Sequence, residues 1–398
     1  MKKFGPGLLV TAAFIGPGSI ATASAAGANT GFVLLWALLF SLVATMVLQE
    51  MAARLGLVSG DGLSQALRTT FRNPLISRTA VILVVSAIGV GNAAYEAGNI
   101  SGAALGLQTL LPLSASASAL VLGGLAALLL GSGGYKLLEP ILIVLVLIMS
   151  TVFVVTMLMI DLDFGAMLAG MVKPSIPAGS ALKVVALIGT TVVPYNLFLH
   201  ANIVQEKWRG VGTRQAIAES RADTVISIGL GGLITLAVMS TSAVAFFNTG
   251  MAFSASSLAT QLEPVLGKAA NGFFAFGLMA AGLTSAITAP LAAAYAVSGA
   301  MGWPTDFSDK RFTAIWVLVL VVGTLFAALG TKPIAAILFA QAANGVLLPV
   351  TAIFLIIIMN RADLLGDYRN RLLSNLLAVA VVAVVTGLGL WNIVRLFV

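Results

Sequence analysis

The chain contains no cysteine and a single histidine, His200, among its 398 residues. The absence of thiols excludes a disulfide framework, a thiolate metal site and a cysteine nucleophile. A single imidazole excludes a metal site built from several histidines. Charged side chains are also scarce, at 9% of the residues, against about 25% in soluble domains. So few charges cannot cover the surface of a soluble fold, and this composition is also unlike that of a disordered chain.

Long apolar runs fill most of the sequence, in which 59% of the residues are hydrophobic. A helix needs about 20 apolar residues to cross the hydrocarbon of a bilayer. Eleven such runs predict an all-α polytopic membrane protein with eleven transmembrane helices. The predicted spans are 5–26, 31–53, 79–104, 116–132, 139–159, 181–205, 223–247, 270–299, 312–329, 334–359 and 373–396. The stretches 54–78, 206–222 and 251–266 are predicted to form short surface helices.

The distribution of basic residues predicts the orientation. With the N-terminus inside, 16 of the 21 Lys and Arg residues fall on the cytoplasmic side and five on the outer side. The positive-inside rule therefore predicts an N-in, C-out protein of the cytoplasmic (inner) membrane. The net charge of +7 is scattered between apolar runs, so we expect contact with anionic lipid rather than with nucleic acid. No obligatory protein partner and no cofactor are expected.

Two of the spans are interrupted near their middle. Span one contains Gly16-Pro17-Gly18-Ser19, and span six contains residues 190–196, which include Pro194. Proline lacks an amide donor and clashes with the preceding turn. A broken helix survives in hydrocarbon only where protein or a cavity binds the freed backbone groups. The alternative is an ordinary proline kink in each span.

The positions of the two interruptions favour broken helices. Each lies about a dozen residues into its span, and each span opens one half of the chain. Span one begins inside and span six outside, so the halves have opposite orientation. This 5+5 inverted repeat is typical of secondary transporters. We expect one membrane domain over 1–398, with a first repeat at 5–159, a second at 181–359 and an extra span at 373–396.

Several motifs carry a resemblance to a known family. They are GPGLLVTAAFIGPGSIATA (5–23), LLW (34–36), QEMAARLG (49–56), VPYNLFLH (193–200), Gln341 and LLP (347–349). In this order, and over most of the chain, they resemble the Nramp family of proton-coupled divalent metal transporters. The resemblance implies a LeuT-like fold with broken spans one and six.

The sequence departs from the family pattern at the positions of its metal ligands. The resemblance implies an aspartate and an asparagine in span one, where this chain has Gly16 and Ser19, and a methionine in span six, where it has Val193. Without a carboxylate or thioether, a divalent charge would stay uncompensated in a low-dielectric cavity. We therefore expect no metal site and a small non-metal solute, most plausibly an organic carboxylate. The alternative is a proton-coupled Mn²⁺, Fe²⁺ or Mg²⁺ importer that uses a modified site.

Candidate substrate-binding residues surround the two interruptions. The second half of span one would present free amides and the positive end of its dipole to an anion. Hydroxyl and carboxamide side chains nearby would add polar contacts. The candidates are Gly16, Gly18, Ser19, Thr22, Thr190, Val193, Tyr195, Asn196, Gln341 and Asn344.

Coupling requires a titratable group or a cation site. Glu96 lies in mid-span with Asn99 one turn further on, and an ionisable residue at that depth indicates function. His200 titrates near neutrality when unperturbed. Proton coupling through these three residues is one prediction. The rival is sodium, bound by Thr284, Ser285 and Thr288 as in sodium-coupled relatives of the fold, although small hydroxyl residues also simply pack helices together. A receptor and a membrane enzyme are the weaker alternatives, because no soluble output domain, cysteine or carboxylate pair is evident.

Overall fold

The computed structural model describes residues 5–7, 15–71, 73–133, 135–329 and 333–394, and in these residues the chain forms helices and no strand. The helices are α1 (Pro17–Thr30), α2 (Leu35–Ser59), α3 (Leu63–Thr70), α4 (Pro74–Leu110), α5 (Ala115–Ser132), α6 (Tyr135–Met159), α7 (Phe164–Val172), α8 (Ala181–Thr191), α9 (Pro194–Lys207), α10 (Thr213–Phe246), α11 (Ala270–Met301), α12 (Lys310–Ala328), α13 (Pro333–Met359) and α14 (Leu372–Val394). Single turns occupy Leu258–Leu262, Glu263–Leu266 and Ala362–Leu365.

The described residues contain ten segments that are long and apolar enough to cross a membrane. They correspond to predicted spans two to eleven, with α8 and α9 together forming span six. Of predicted span one, residues 8–14 lie outside the described residues, and α1 forms the part that follows the interruption. Hydrophobic length alone therefore located these spans correctly.

Segments at the membrane surfaces differ more from the predictions. The helix predicted at 54–78 is present as α3, whose first residues pack their apolar side inward. The stretch 206–222 is not a separate surface helix, because α10 already begins at Thr213 and continues across the membrane. Helix α7 was not predicted. An amphipathic pattern does not show whether a helix stops at the interface or extends into the next span.

Close helix contacts depend on glycine. A Cβ atom on Gly27 of α1 would overlap the carbonyl oxygen of Met239 on α10. One on Gly282 of α11 would overlap Ala103 of α4. Without a hydrophobic driving force between helices in lipid, such close backbone approach is the main source of association.

A charged cluster joins three elements on the cytoplasmic side. Glu50 of α2 pairs with Arg54 at 3.0 Å and with Arg221 of α10 at 2.8 Å. Arg54 also donates to the side-chain oxygen of Asn370 at 2.8 Å. The cluster ties α2, α10 and the loop before α14 together at the face where positive charge is concentrated.

The role of Gly27 is testable. We expect Gly27→Ala to destabilise the protein by about 1–3 kcal/mol, because the added methyl group forces α1 and α10 apart. The matched control is Gly124→Ala in α5, where an added Cβ meets nothing within 4 Å. That change should be neutral or slightly stabilising, since alanine is the better helix former. Thermal unfolding in detergent measures both, and equal melting temperatures for the two variants would contradict the packing assignment.

Candidate functional site

The two interruptions predicted from the sequence meet in space. Helix α1 begins at Pro17, and Gly16 before it is extended, with no side chain capping the helix. Helix α8 ends at Thr191, and α9 begins at Pro194. The hydroxyl oxygens of Ser19 and Thr190 are 3.2 Å apart, although 171 residues separate them in the chain. The first turn of one half-helix thus lies beside the last turn of another.

This junction brings opposite backbone groups together. The first turn of α1 has amides without partners inside the helix, and the last turn of α8 has carbonyls without partners inside the helix. Helix α2 approaches this end of α8, since the Thr45 hydroxyl lies 3.3 Å from the carbonyl oxygen of Thr191, although its shorter acceptor is the Ser41 carbonyl of its own helix at 2.7 Å. Donors and acceptors are therefore both available at one buried place, which suits a polar or charged ligand.

Gln341 of α13 is a polar side chain beside the first interruption. Its carboxamide lies against Gly18, where a Cβ atom would overlap it, and against Gly98 of α4. The side chain is fully buried, and among the described residues neither its nitrogen nor its oxygen has a hydrogen-bond partner. A buried polar group left unpaired costs about 1–3 kcal/mol. Gln341 is therefore suited to binding a ligand or the water around one.

Two further predicted residues also have buried polar atoms without a hydrogen-bond partner among the described residues. The side-chain nitrogen of Asn344, one turn after Gln341, is buried without a partner. Its oxygen lies 3.1 Å from the position of a Cβ atom on Gly91 of α4. The hydroxyl of Thr22 on α1 is likewise buried and unpartnered. Of the two predicted residues of span ten, Gln341 thus contacts span one at Gly18, while Asn344 lies against α4.

The residues after the second interruption are buried but more apolar. Val193 is extended and 1% exposed, and it offers no ligand atom beyond its backbone. The ring of Tyr195 contacts the ring of Tyr95 on α4 edge to face, with centroids 5.6 Å apart. Asn196 donates its backbone amide to the carbonyl of Val193 at 3.1 Å, which closes the first turn of α9.

Only one of the three residues predicted to bind sodium reaches the junction. The hydroxyls of Thr284 and Thr288 donate to carbonyls of their own helix, at 2.8 and 2.9 Å. The hydroxyl oxygen of Ser285 instead lies 2.8 Å from where a Cβ atom on Gly16 would be. The missing side chain at position 16 thus leaves space that Ser285 of α11 adjoins.

The buried carboxyl of Glu96 faces a different neighbour. Asn99 donates to Glu96 at 3.2 Å, and the second carboxyl oxygen has no partner. A Cβ atom on Gly323 of α12 would lie 2.5 Å from Cγ of Glu96. Glu96 therefore points towards α12, while the adjacent Tyr95 contacts the second interruption through Tyr195.

His200 connects α9 to α2. Its Nδ1 atom is 3.0 Å from the side-chain oxygen of Gln49, and its Nε2 atom is buried without a partner. Gln49, Thr45 and Tyr95 are contacts that the sequence reading missed. The sequence did contain a signal for these residues, because each is a polar residue inside an apolar span, which is the criterion that selected Glu96.

The described part of the chain holds no group of three or more His, Cys, Asp or Glu side chains that could bind a metal ion together. The oxygen atoms at the junction belong to hydroxyls, carboxamides and the backbone. Any cation bound there would be held by neutral oxygens.

Comparison with known proteins identifies the family. The profile of the Nramp family, natural resistance-associated macrophage protein-like, matches residues 7–395, so the chain belongs to this family of membrane transporters. A relative from Klebsiella pneumoniae is 30% identical over 99% of this chain and 94% of its own length. One from Burkholderia ambifaria is 29% identical over 97% and 87%. Both relatives are named divalent metal cation transporter MntH.

Solved structures support the fold. A mutant of the manganese transporter of Eremococcus coleocola has a TM-score of 0.77 at 21% identity, covering 98% of this chain and 85% of its own. Mhp1, a nucleobase-cation-symport-1 family transporter, has a TM-score of 0.59 at 15% identity, covering 97% and 91%. The predicted LeuT-like fold is confirmed, and the chain is a multi-pass protein of the cytoplasmic membrane.

The predicted cargo requires correction. A small organic carboxylate was expected because Gly16, Ser19 and Val193 replace the implied metal ligands. This prediction is wrong, because relatives that match almost the whole chain are named divalent metal cation transporters. The physical reason is that a cation need not lose its water. Neutral oxygens bind a hydrated ion without the cost of a bare divalent charge.

The hydroxyl pair at the junction gives a test of the geometry. Ser19→Ala and Thr190→Val each remove one partner of the 3.2 Å contact. We expect their destabilising effects to be non-additive, with a coupling of about 1 kcal/mol. In the control cycle, Ser19→Ala is combined with Thr191→Val, whose hydroxyl bonds Leu187 of its own helix. That pair should be additive, and additive effects in both cycles of unfolding free energy would contradict the contact.

Proposed function

We propose that the chain transports a hard divalent metal cation, Mn²⁺ or Mg²⁺, driven by protons. The observation that carries the proposal is the Gln341 carboxamide, fully buried and unpartnered beside the interruption at Gly18. The names of the relatives support a divalent cation as cargo. Carboxamide, hydroxyl and carbonyl oxygens are the neutral ligands that Mn²⁺ and Mg²⁺ accept, whereas softer metals favour sulfur or imidazole.

The proposed site binds the ion with part of its water. Ser19, Thr190 and Gln341 supply polar atoms from three helices, and none of them carries charge. Mg²⁺ releases water reluctantly and is commonly bound through only a few protein oxygens. Gln341 and Asn344 can each bind a metal-bound water through the carboxamide oxygen, and the C-terminal carbonyls of α8 favour positive charge. Affinity should accordingly be modest.

Glu96 is the proposed proton carrier. It is fully buried in α4, and within the described part of the chain its carboxyl group has no hydrogen-bond partner other than Asn99. A carboxyl at this depth can be neutral or charged, and only the neutral form is inexpensive in the membrane interior. Its neighbour Tyr95 contacts Tyr195 at the second interruption, which offers a packing route from protonation to the junction. His200 has no polar partner except Gln49 and is the second candidate.

The first test is manganese uptake into proteoliposomes with an acidic exterior and an inside-negative potential. A functional Nramp transporter is the positive control. We expect saturable uptake by the wild-type protein and at least a tenfold loss in Gln341→Leu. The matched variant Gln108→Leu changes a carboxamide of α4 that bonds Ala104 of its own helix, and it should retain uptake. No uptake of Mn²⁺ or Mg²⁺ by the wild type, with an active control, would contradict the proposal.

Restoring a carboxylate at position 16 should strengthen metal binding. In a Ser285→Ala background, which relieves the 2.8 Å contact with a side chain at position 16, we expect Gly16→Asp to bind Mn²⁺ at least tenfold more tightly. A negative charge at a partly desolvated cation site changes the free energy of binding by enough to raise the affinity about tenfold. Gly16→Asn is the isosteric neutral control. Calorimetric titration measures the affinities, and equal affinity of the Asp and Asn variants would show that position 16 does not face the ion.

The role of Glu96 is tested by the pH gradient. Glu96→Gln keeps the size of the side chain but cannot release a proton, so we expect metal uptake to lose its stimulation by external acid. Facilitated uptake down a metal gradient should persist. Glu206→Gln, the same change at an exposed position on the cytoplasmic side, should keep acid stimulation. Unchanged acid stimulation in Glu96→Gln would assign coupling to another group.

A further inference from the structure

Part of the segment between α10 and α11 is more deeply buried than its sequence suggests. Residues 251–266 were predicted to form a surface helix on the outer side, but they fold into single turns that pack against α6, α10 and α11. Leu258, Gln261 and Leu262 are each at most 1% exposed. We call residues 251–266 the outer segment.

Gln261 bonds the outer segment to two helices. Its side-chain nitrogen donates to the hydroxyl of Ser24 on α1 at 3.1 Å and to the carbonyl of Leu258 at 2.8 Å. Its side-chain oxygen lies 3.3 Å from the hydroxyl of Thr241 on α10, which also has the Ala237 carbonyl of its own helix as an acceptor at 2.9 Å, and 3.4 Å from the hydroxyl of Ser24. Both polar atoms of the Gln261 carboxamide therefore have hydrogen-bond partners, in contrast to those of Gln341.

Ser24 connects this network to the candidate transport site. It lies five residues after Ser19 on the same helix, towards the side that the positive-inside rule assigns to the exterior. The hydroxyl of Ser242 on α10 donates to the Ser24 carbonyl at 2.7 Å. Ser24, in the outer half of α1, is thus hydrogen-bonded both to α10 and to the outer segment. These contacts lie on the exterior side of the candidate transport site, whose polar side chains are buried.

We propose that Gln261 is a positioning residue that fastens the outer segment onto α1 and α10 and closes the transport site to the exterior. Opening to the outside then requires the bonds from Gln261 to Ser24 and Thr241 to break, while the bond to Leu258 within the segment can persist. A neutral carboxamide suits this role because water can replace each bond when the pathway opens. The inference rests on alternating access and is independent of the cargo.

The absence of native cysteine allows a direct measurement. Thr22→Cys places one thiol on α1 between Ser19 and Ser24, and the replaced hydroxyl has no hydrogen bond to lose. A membrane-impermeant maleimide added to whole cells reports how often this position opens to the outside. The readout needs no metal, so it remains valid if the proposed function fails.

We expect Gln261→Ala to raise the labelling rate of the Thr22→Cys protein about 5- to 30-fold, the effect of losing one or two net hydrogen bonds. Ser257→Ala is the matched control, because the Ser257 hydroxyl bonds only within the outer segment, to Ser254 and Ala252. Its labelling rate should not change. Equal rates in Gln261→Ala and its parent would overturn the proposal, as would equal acceleration by Ser257→Ala.

Substitutions at the residues that contact Gln261 provide a second test, which remains available when Gln261→Ala does not fold. Thr241→Val and Ser24→Ala remove bonds from the helix side and leave the bond between Gln261 and Leu258 in place. Each should accelerate labelling by several-fold, and neither should add to the effect of Gln261→Ala. A merely structural role of Gln261 predicts lower thermal stability with unchanged labelling in both, and that result would also overturn the proposal.

Discussion

Helices that end in mid-membrane leave peptide groups that hydrocarbon cannot bind, and this constraint organises the structure. The interruptions at Gly16 and Val193 must therefore lie against each other or against polar side chains. They do both, through the contact of Ser19 with Thr190 and the approach of the Thr45 hydroxyl to Thr191. The polar atoms left without a partner among the described residues, above all those of Gln341, lie where we propose that the ligand binds.

The same fold carries different cargoes, so the site and not the architecture must decide what is transported. Mhp1 shares the fold with a TM-score of 0.59 and belongs to a nucleobase-cation symport family. In this chain the junction combines free amides of α1 with carbonyls of α8, and backbone geometry alone admits either sign of charge. The neutral side-chain oxygens favour a hydrated cation over a bare one, because a bare divalent ion would need compensating charge. The family relationship agrees with a cation.

The sequence predicted the backbone features well because their causes are local. Glycine and proline at 16–18 and proline at 194 coincide with helix ends, whereas Pro290 and Pro349 lie inside α11 and α13. The matched positions of the two interruptions, and not proline alone, therefore carried the prediction, and span length follows from membrane thickness. Side-chain direction was less accessible, since Glu96 faces Gly323 of α12 and Gln261 lies inside the protein. Periodicity identifies a face of a helix but not the neighbour that covers it. The cargo prediction failed because it equated the loss of carboxylates with the loss of a cation site.

Polar groups of different chemistry connect neighbouring helices at the two faces of the protein. On the cytoplasmic side Glu50, Arg54 and Arg221 form an ion-pair cluster in which Arg221 is 56% exposed. On the outer side Gln261 makes neutral, buried hydrogen bonds. An exposed ion pair such as Glu50–Arg221 contributes about 0–1 kcal/mol and a neutral hydrogen bond about 0.5–1.5 kcal/mol net, because water replaces both when the groups separate. Separating an apolar contact would instead cost free energy in proportion to the area exposed. The proposed polar closure at the outer face would therefore keep the closed and outward-open states close in energy, as alternating access requires.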